Sequence, residues 1–202
     1  MPRAIDHVAR KNDLCTAVIA LATEHGFHAV TFRAVAKAIG ASTSSVTHYF
    51  SSRDALITAA VSREFARFQC EITAALDGLC GGEAIIAFFE LTVVAPRPGI
   101  RSLWLSAIES ARREPVLREE LRRFIVFWDR TLDSYVAQVD SPGYQDSPSR
   151  QGALKDLIDV LGSGLVSLSF QDMAWAEDRR RQLVASVVGP RLGLDLPAAS
   201  AR

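Results

Sequence analysis

Between Thr31 and Phe50 the chain reads TFRAVAKAIGASTSSVTHYF, with Thr43, Ser44, Ser45 and Thr47 crowded into one short stretch. Small hydroxyl side chains on an exposed helical turn suit DNA. They let a helix approach closely, they donate or accept at base edges in the major groove, and a threonine methyl can meet a thymine methyl. They lack the two-pronged grip that arginine has on guanine, so direct readout from this stretch should be modest. Thr31 at one helix start and Arg53 at another are placed for phosphate, because open backbone N–H groups and the helix dipole favour anions there. His48 and Tyr49 offer N–H and O–H donors to a phosphate, and Arg33 and Lys37 add charge; Arg33 alternatively reaches into a groove. Tyr49 has an equal second reading, packing against the preceding helix. His48 three and four residues from Ser45 and Ser44 resembles a base beside a nucleophile, but no acid stands near to orient it. No catalytic residue is expected.

The elements that would position these groups are legible from spacing. Val35, Ala36 and Ile39 share one helical face, with Thr31 placed to cap the first turn. Gly40 follows, where a left-handed residue ends many helices, and Ser42 can cap a second helix after a short turn. This is the pattern of a helix-turn-helix. Ahead of it an amphipathic helix is expected over about Val8–His25, with Leu14, Val18 and Leu21 inward. Behind it, Ser51 to Asp54 offers a capping arrangement for a long helix from about Arg53 to Leu79. Further helices are expected near Glu83–Val94, Ile100–Arg113, Pro115–Val139, Gly152–Ala174 and Glu177–Arg191. Breaks fall at Gly78, Gly81 and Gly82, at Pro96 to Gly99, and in the loop Ser141–Arg150. The run Arg179–Arg181 reads as a solvated basic face. The expected architecture is all-α, with about nine helices. Residues 1–52 form a three-helix head, 53–195 a larger helical body, and 196–202 a tail without core pattern.

Composition sets limits on function. The chain has 202 residues, 49% of them hydrophobic, with 23 basic and 23 acidic side chains. A neutral chain confines any nucleic-acid surface to a local patch. Residues 1–56 hold Arg3, Arg10, Lys11, Arg33, Lys37 and Arg53 against Asp6, Asp13, Glu24 and Asp54, a weak excess, and all four histidines. Cys15, Cys70 and Cys80 lack the close spacing of a metal site, so no metal and no cofactor is expected. No apolar run reaches membrane-spanning length, and a cytoplasmic location with no membrane partner is expected.

The stretch HGFHAVTFRAVAKAIGASTSSVTHYFSSRDAL resembles the signature of the TetR family of bacterial transcription regulators. The shared features are a Gly-Phe pair before a threonine-capped helix, an Ala-Lys-x-x-Gly turn, a Tyr-Phe close and a basic residue at the fourth helix. Ser44, Thr47 and Arg53 depart from the commoner glycine, aromatic and lysine. The resemblance implies a ligand-responsive regulator, a repressor, acting as a homodimer on a palindromic double-stranded operator. It implies a dimer interface on the last two helices, with Leu157, Leu161, Leu165, Leu168, Val184 and Val188. Phe88, Phe89, Trp104, Ile108, Phe127, Trp128, Tyr135 and Phe170 could line a pocket for a small, largely apolar effector, or could be plain core. Glu90, Glu109 and Asp129 are the polar candidates to orient it. The alternative is a helical small-molecule-binding protein of the same fold that does not act through DNA. An enzyme using the aromatic body is disfavoured, because every histidine lies before residue 49.

Overall fold

In the computed structural model, residues 7–97, 99–139 and 176–192 are described, together with 152–153, 155–157, 159–161 and 164. Among the described residues every regular element is helical, and no helix is long and apolar enough to cross a membrane. The helices are α1 His7–His25, α2 Phe32–Ala38, α3 Thr43–Thr47, α4 Arg53–Leu76, α5 Gly81–Phe89, α6 Ile100–Ala111, α7 Pro115–Val136 and α8 Glu177–Val187. Described residues between 152 and 164 are also helical. The loop expected at Ser141–Arg150, Leu165, Leu168, Phe170 and the tail from Leu196 lie outside the described residues.

The helices end for local reasons. Thr31 accepts a hydrogen bond from Ala34 N at 3.1 Å and so caps α2, and Ser42 accepts from Ser45 N at 3.2 Å and caps α3. At the start of α4 the cap is Ser52, which accepts from Ala55 N at 3.1 Å; the expected Ser51 stands one residue too early. Gly78 takes a φ of 76°, and α4 stops at Leu76 rather than Leu79. The apolar helix after it begins at Gly81 and, from Glu90 to Val94, widens into a π-helical turn.

The chain divides into two compact units. One comprises Met1–Phe68 and Gly99–Ile125, the other Gln69–Pro98 and Val126–Arg202. The expected boundary after residue 52 therefore falls inside the first unit, because α6 packs on α1 and on the 3-10 turn Phe27–Ala29. Its core includes Leu14, Val18, Phe27, Val35, Val46, Leu56, Leu103 and Leu117, all fully buried. Polar ties bind the same helices. Arg63 donates to Asn12 O at 2.6 Å and to Thr16 Oγ1 at 2.9 Å, joining α4 to α1. Ser62 Oγ donates to Glu120 Oε2 at 2.6 Å, joining α4 to α7. An aromatic group fills one end: Phe65 lies 4.9 Å from Phe124 and 5.9 Å from Trp104 between ring centroids.

In the second unit, Phe88 meets Trp128 edge-on at 4.5 Å, over a core that includes Ile85, Phe89 and Leu132. The basic run on α8 is not a solvated face. Arg180 is buried and donates through Nε to Val94 O at 2.9 Å and through Nη2 to the same oxygen. It satisfies a carbonyl that the end of the π-helical turn would otherwise leave without a partner. Arg181 pairs with Glu90, Glu177 and Asp178, and hydrogen bonds to Glu90 and then Glu177 hold its guanidinium charged well above the usual range. Val184 and Val188, expected between two copies of the chain, are instead closed inside this unit, at 4% and 0% exposure. Their apolar stripe faces inward because α8 packs on the π-helical turn.

Gly81 has a φ of 48°, and a Cβ there would come within 3.0 Å of Gln138 O. Gly81→Ala should therefore destabilise the chain by about 1–2 kcal/mol from backbone strain alone, read as a lower urea midpoint. Burial raises the Cys15 thiol, an effect that Arg63 and Lys11 offset in part, while Cys70 and Cys80 are exposed. A thiol reagent at pH 8 should label Cys70 and Cys80 promptly and Cys15 only on unfolding; prompt labelling of all three would contradict this packing.

Candidate nucleic-acid interface

The candidate surface is built on α2 and α3, which pack on each other and, through α2, on α1. Val35, Ala36 and Val46 are buried between these helices, and Gly40 turns the chain between them at a φ of 64°. Their outward faces carry the expected groups. Thr31, Arg33, Lys37, Thr43, Ser44, Thr47 and His48 are exposed, while Ser45 and Tyr49 are half-buried.

The hydroxyls are organised rather than loose. Ser42 Oγ lies 2.8 Å from Ser44 Oγ and 2.9 Å from Ser45 Oγ, so one capping oxygen gathers two others. Thr47 Oγ1 donates to Ser44 O at 3.1 Å, which turns the hydroxyl back along the helix. The rotamer that makes this bond fixes where the Thr47 methyl points. The outward residues of α3 thus present a preset pattern of small donors and acceptors with the methyls of Thr43 and Thr47.

Behind α3, Tyr49 Oη lies 3.3 Å from His7 Nδ1, and the His48 and Tyr49 rings meet edge-on at 5.1 Å. Of the two readings of Tyr49, the structure displays the contact with the first helix. His7 escapes a reading of the sequence, because its partner is 42 residues away and no local pattern marks it. Lys11 Nζ stands 5.5 Å from the centroid of the Phe50 ring, a cation–π contact that fixes a second basic group from α1 near the end of the motif.

Arg53 is placed differently from the expectation. It begins α4, but its guanidinium turns into the protein. Nε donates to Val30 O at 2.7 Å and Nη2 to Phe27 O at 2.6 Å. Nη1 and Nη2 grip the two carboxylate oxygens of Glu114 at 3.2 and 3.1 Å. Glu114 gives no sign of this role in the sequence, because it sits at the corner of α6 and α7, remote from the motif.

The expected pocket residues divide between the units. Trp104 and Ile108 belong to the first, where Trp104 packs on Phe65 and Phe124 and Ile108 is 41% exposed. Phe88, Phe89, Phe127, Trp128 and Tyr135 belong to the second; Phe88 and Phe89 are fully buried, the other three half-buried. Of the polar candidates, Glu90 is taken by Arg181, Glu109 is exposed and Asp129 is half-buried. Leu157 and Leu161, expected at the interface between copies, are half-buried, and Val160 between them is 69% exposed.

Comparison with known proteins agrees with this geometry. Residues 15–60 match the model of the bacterial regulatory proteins of the tetR family. The HTH-type transcriptional regulator BetI of Rhizobium meliloti is 26% identical over 137 residues, an alignment spanning 66% of each chain. A Saccharomonospora viridis protein solved in complex with choline superposes with a TM-score of 0.74 at 19% identity, over 90% of this chain and 96% of that one. A transcriptional regulator from a Rhodococcus species gives a TM-score of 0.71 at 19% identity, over 93% of this chain and 98% of that one. With its capped α2 and its short hydroxyl-bearing α3, the segment that begins within α1 and ends within α4 is the part of the chain that matches the tetR family of bacterial regulatory proteins.

Proposed function

We propose that this protein is a ligand-responsive repressor that binds a palindromic DNA operator as a homodimer and releases it when a small, largely apolar molecule binds the body. The observation that carries the reading is α3, a capped helix with Thr43, Ser44 and Thr47 exposed on it, inside the segment that matches the family. Its N-terminal turn would address base edges in the major groove, with Thr31 and the first N–H groups of α2 on a phosphate. Arg33 and Lys37 would supply the local charge that the chain as a whole lacks.

Two copies are needed for physical reasons. A recognition surface without a base-reading arginine discriminates weakly, and pairing two heads roughly 34–36 Å apart along the duplex multiplies that discrimination. The exposed Val160 and half-buried Leu157 and Leu161 support placing the contact between copies around these three residues rather than on Val184 and Val188. The half-buried Phe127, Trp128 and Tyr135 are the candidates for effector contact, with Asp129 beside them. The choline held by the Saccharomonospora viridis protein supports a small organic effector in this fold. Such a molecule can shift the DNA equilibrium only by its different affinity for the bound and released forms of the protein.

The test is selection of duplexes from a random-sequence pool by the full chain, followed by titration of the selected and a random duplex across salt. The regulator reading expects a clear preference for the selected duplex. Equal binding to both at low salt would overturn it in favour of a helical small-molecule-binding protein. Arg33→Ala or Lys37→Ala should weaken both duplexes alike and lower the salt slope by about 0.9 for each phosphate no longer neutralised. Thr47→Ala should change the selected sequence, whereas Thr47→Val, which keeps a methyl, should preserve it if a thymine is read. A uniform loss from both Thr47 variants would remove Thr47 from base readout.

A further inference from the structure

Arg53 stands at the start of α4, where a basic side chain would ordinarily be read as a phosphate ligand, yet it makes four hydrogen bonds within the protein. A guanidinium has five N–H donors in a fixed fork, so little is left for an outside anion. The two carbonyls it holds belong to Phe27 and Val30, in the connection between α1 and α2. Val30 directly precedes Thr31, the residue that caps α2, and α2 carries α3. On the other side, Glu114 is itself fixed. Its backbone N donates to Ser110 O at 2.9 Å, and its carbonyl accepts from Leu117 N at 3.1 Å. Arg118 covers the last carbonyls of the same corner, donating to Ala111 O at 3.2 Å. The pair is partly screened from water, with Arg53 at 33% and Glu114 at 18% side-chain exposure.

We propose that Glu114 is a positioning residue for DNA recognition: its carboxylate holds Arg53 in a latch that sets the Phe27–Thr31 connection, and through it the angle at which α2 and α3 meet DNA. The proposal rests on the DNA-binding reading above. It differs from phosphate binding by Arg53, which needs the guanidinium free. Lysine cannot replace this arginine, because one ammonium cannot reach two carbonyls and both oxygens of a carboxylate in the same fork geometry.

The experiment compares E114A, E114Q and R53K with the wild-type chain, using the duplex selected above and a random duplex of equal length. Binding is followed across salt, backbone amide exchange is read over residues 26–31, and the unfolding midpoint is recorded. The latch predicts that E114A weakens the selected duplex about tenfold, the scale of one charge-assisted contact, with an unchanged salt slope. It also predicts faster exchange over 26–31, partial rescue by E114Q, a loss like that of E114A in R53K, and little further loss when the two are combined. Tighter binding of both duplexes by E114A with a steeper slope, and near-native binding by R53K, would instead make Arg53 a phosphate ligand held back by Glu114. A lowered unfolding midpoint with unchanged affinity per folded molecule would make the pair merely structural. Either result overturns the proposal. If the wild-type chain fails to distinguish the duplexes, the regulator reading fails, and exchange still decides the latch: unaltered exchange over 26–31 in E114A refutes it.

Discussion

A helix of five residues cannot persist in water on its own hydrogen bonds, since nucleating a helical turn costs more than so short a ladder returns. α3 therefore exists because its surroundings hold it. Ser42 satisfies its first turn, Val46 is fully buried beneath it, and Tyr49 is tied to His7 on α1 just beyond its end. α2 has only seven residues and the same dependence, met by the Thr31 cap and by the burial of Val35 and Ala36. The surface that would meet DNA is thus a loan from α1, α4, α6 and the start of α7. This explains why the first compact unit takes in residues 99–125 as well as the first 68.

Much of this is legible in the sequence because its causes are local. Thr31 and Ser42 are caps three residues ahead of the amides they satisfy, Gly40 supplies a left-handed turn, and of the periodic apolar residues Leu14, Val18, Val35 and Ala36 are buried while Leu21 and Ile39 are half-buried. Helices start at Arg53, Ile100, Pro115 and Glu177, as their spacing and capping predict. The misreadings share a different origin. Arg53 looks like a phosphate ligand because its true acceptors lie 23, 26 and 61 residues away. The arginines of α8 look solvated because Val94 O, the partner of Arg180, is 86 residues away. Val184 and Val188 look outward because an apolar stripe shows that a face is covered, not what covers it.

The charge balance gains meaning from the same contacts. With equal numbers of acidic and basic side chains, the chain keeps many arginines occupied internally: Arg53 with Glu114, Arg63 with α1, Arg97 with Glu71, Arg123 with Glu120, and Arg181 with Glu90. Arg122 likewise engages Glu119, and that hydrogen bond is the main reason the Glu119 carboxyl is lowered to about 2. The guanidinium groups of Arg53, Arg63, Arg97, Arg180 and Arg181 tie one element to another, whereas those of Arg122 and Arg123 pair along their own helix. Exposed Arg33 and Lys37 are then set apart by position, on the outer face of α2, rather than by number.

The brace between Arg53 and Glu114 also bears on how the chain is made. Glu114 is synthesised 61 residues after Arg53. At ordinary elongation speeds of about 5–20 residues per second, that is a delay of roughly 3–12 seconds on the ribosome. During that interval α1 to α4 can emerge and begin to pair, but the two carbonyls and the guanidinium between them lack their carboxylate, and α6 is not there to cover Phe27. The helix-turn-helix precedes the α6–α7 corner along the chain, yet it is completed only once that corner has left the exit tunnel.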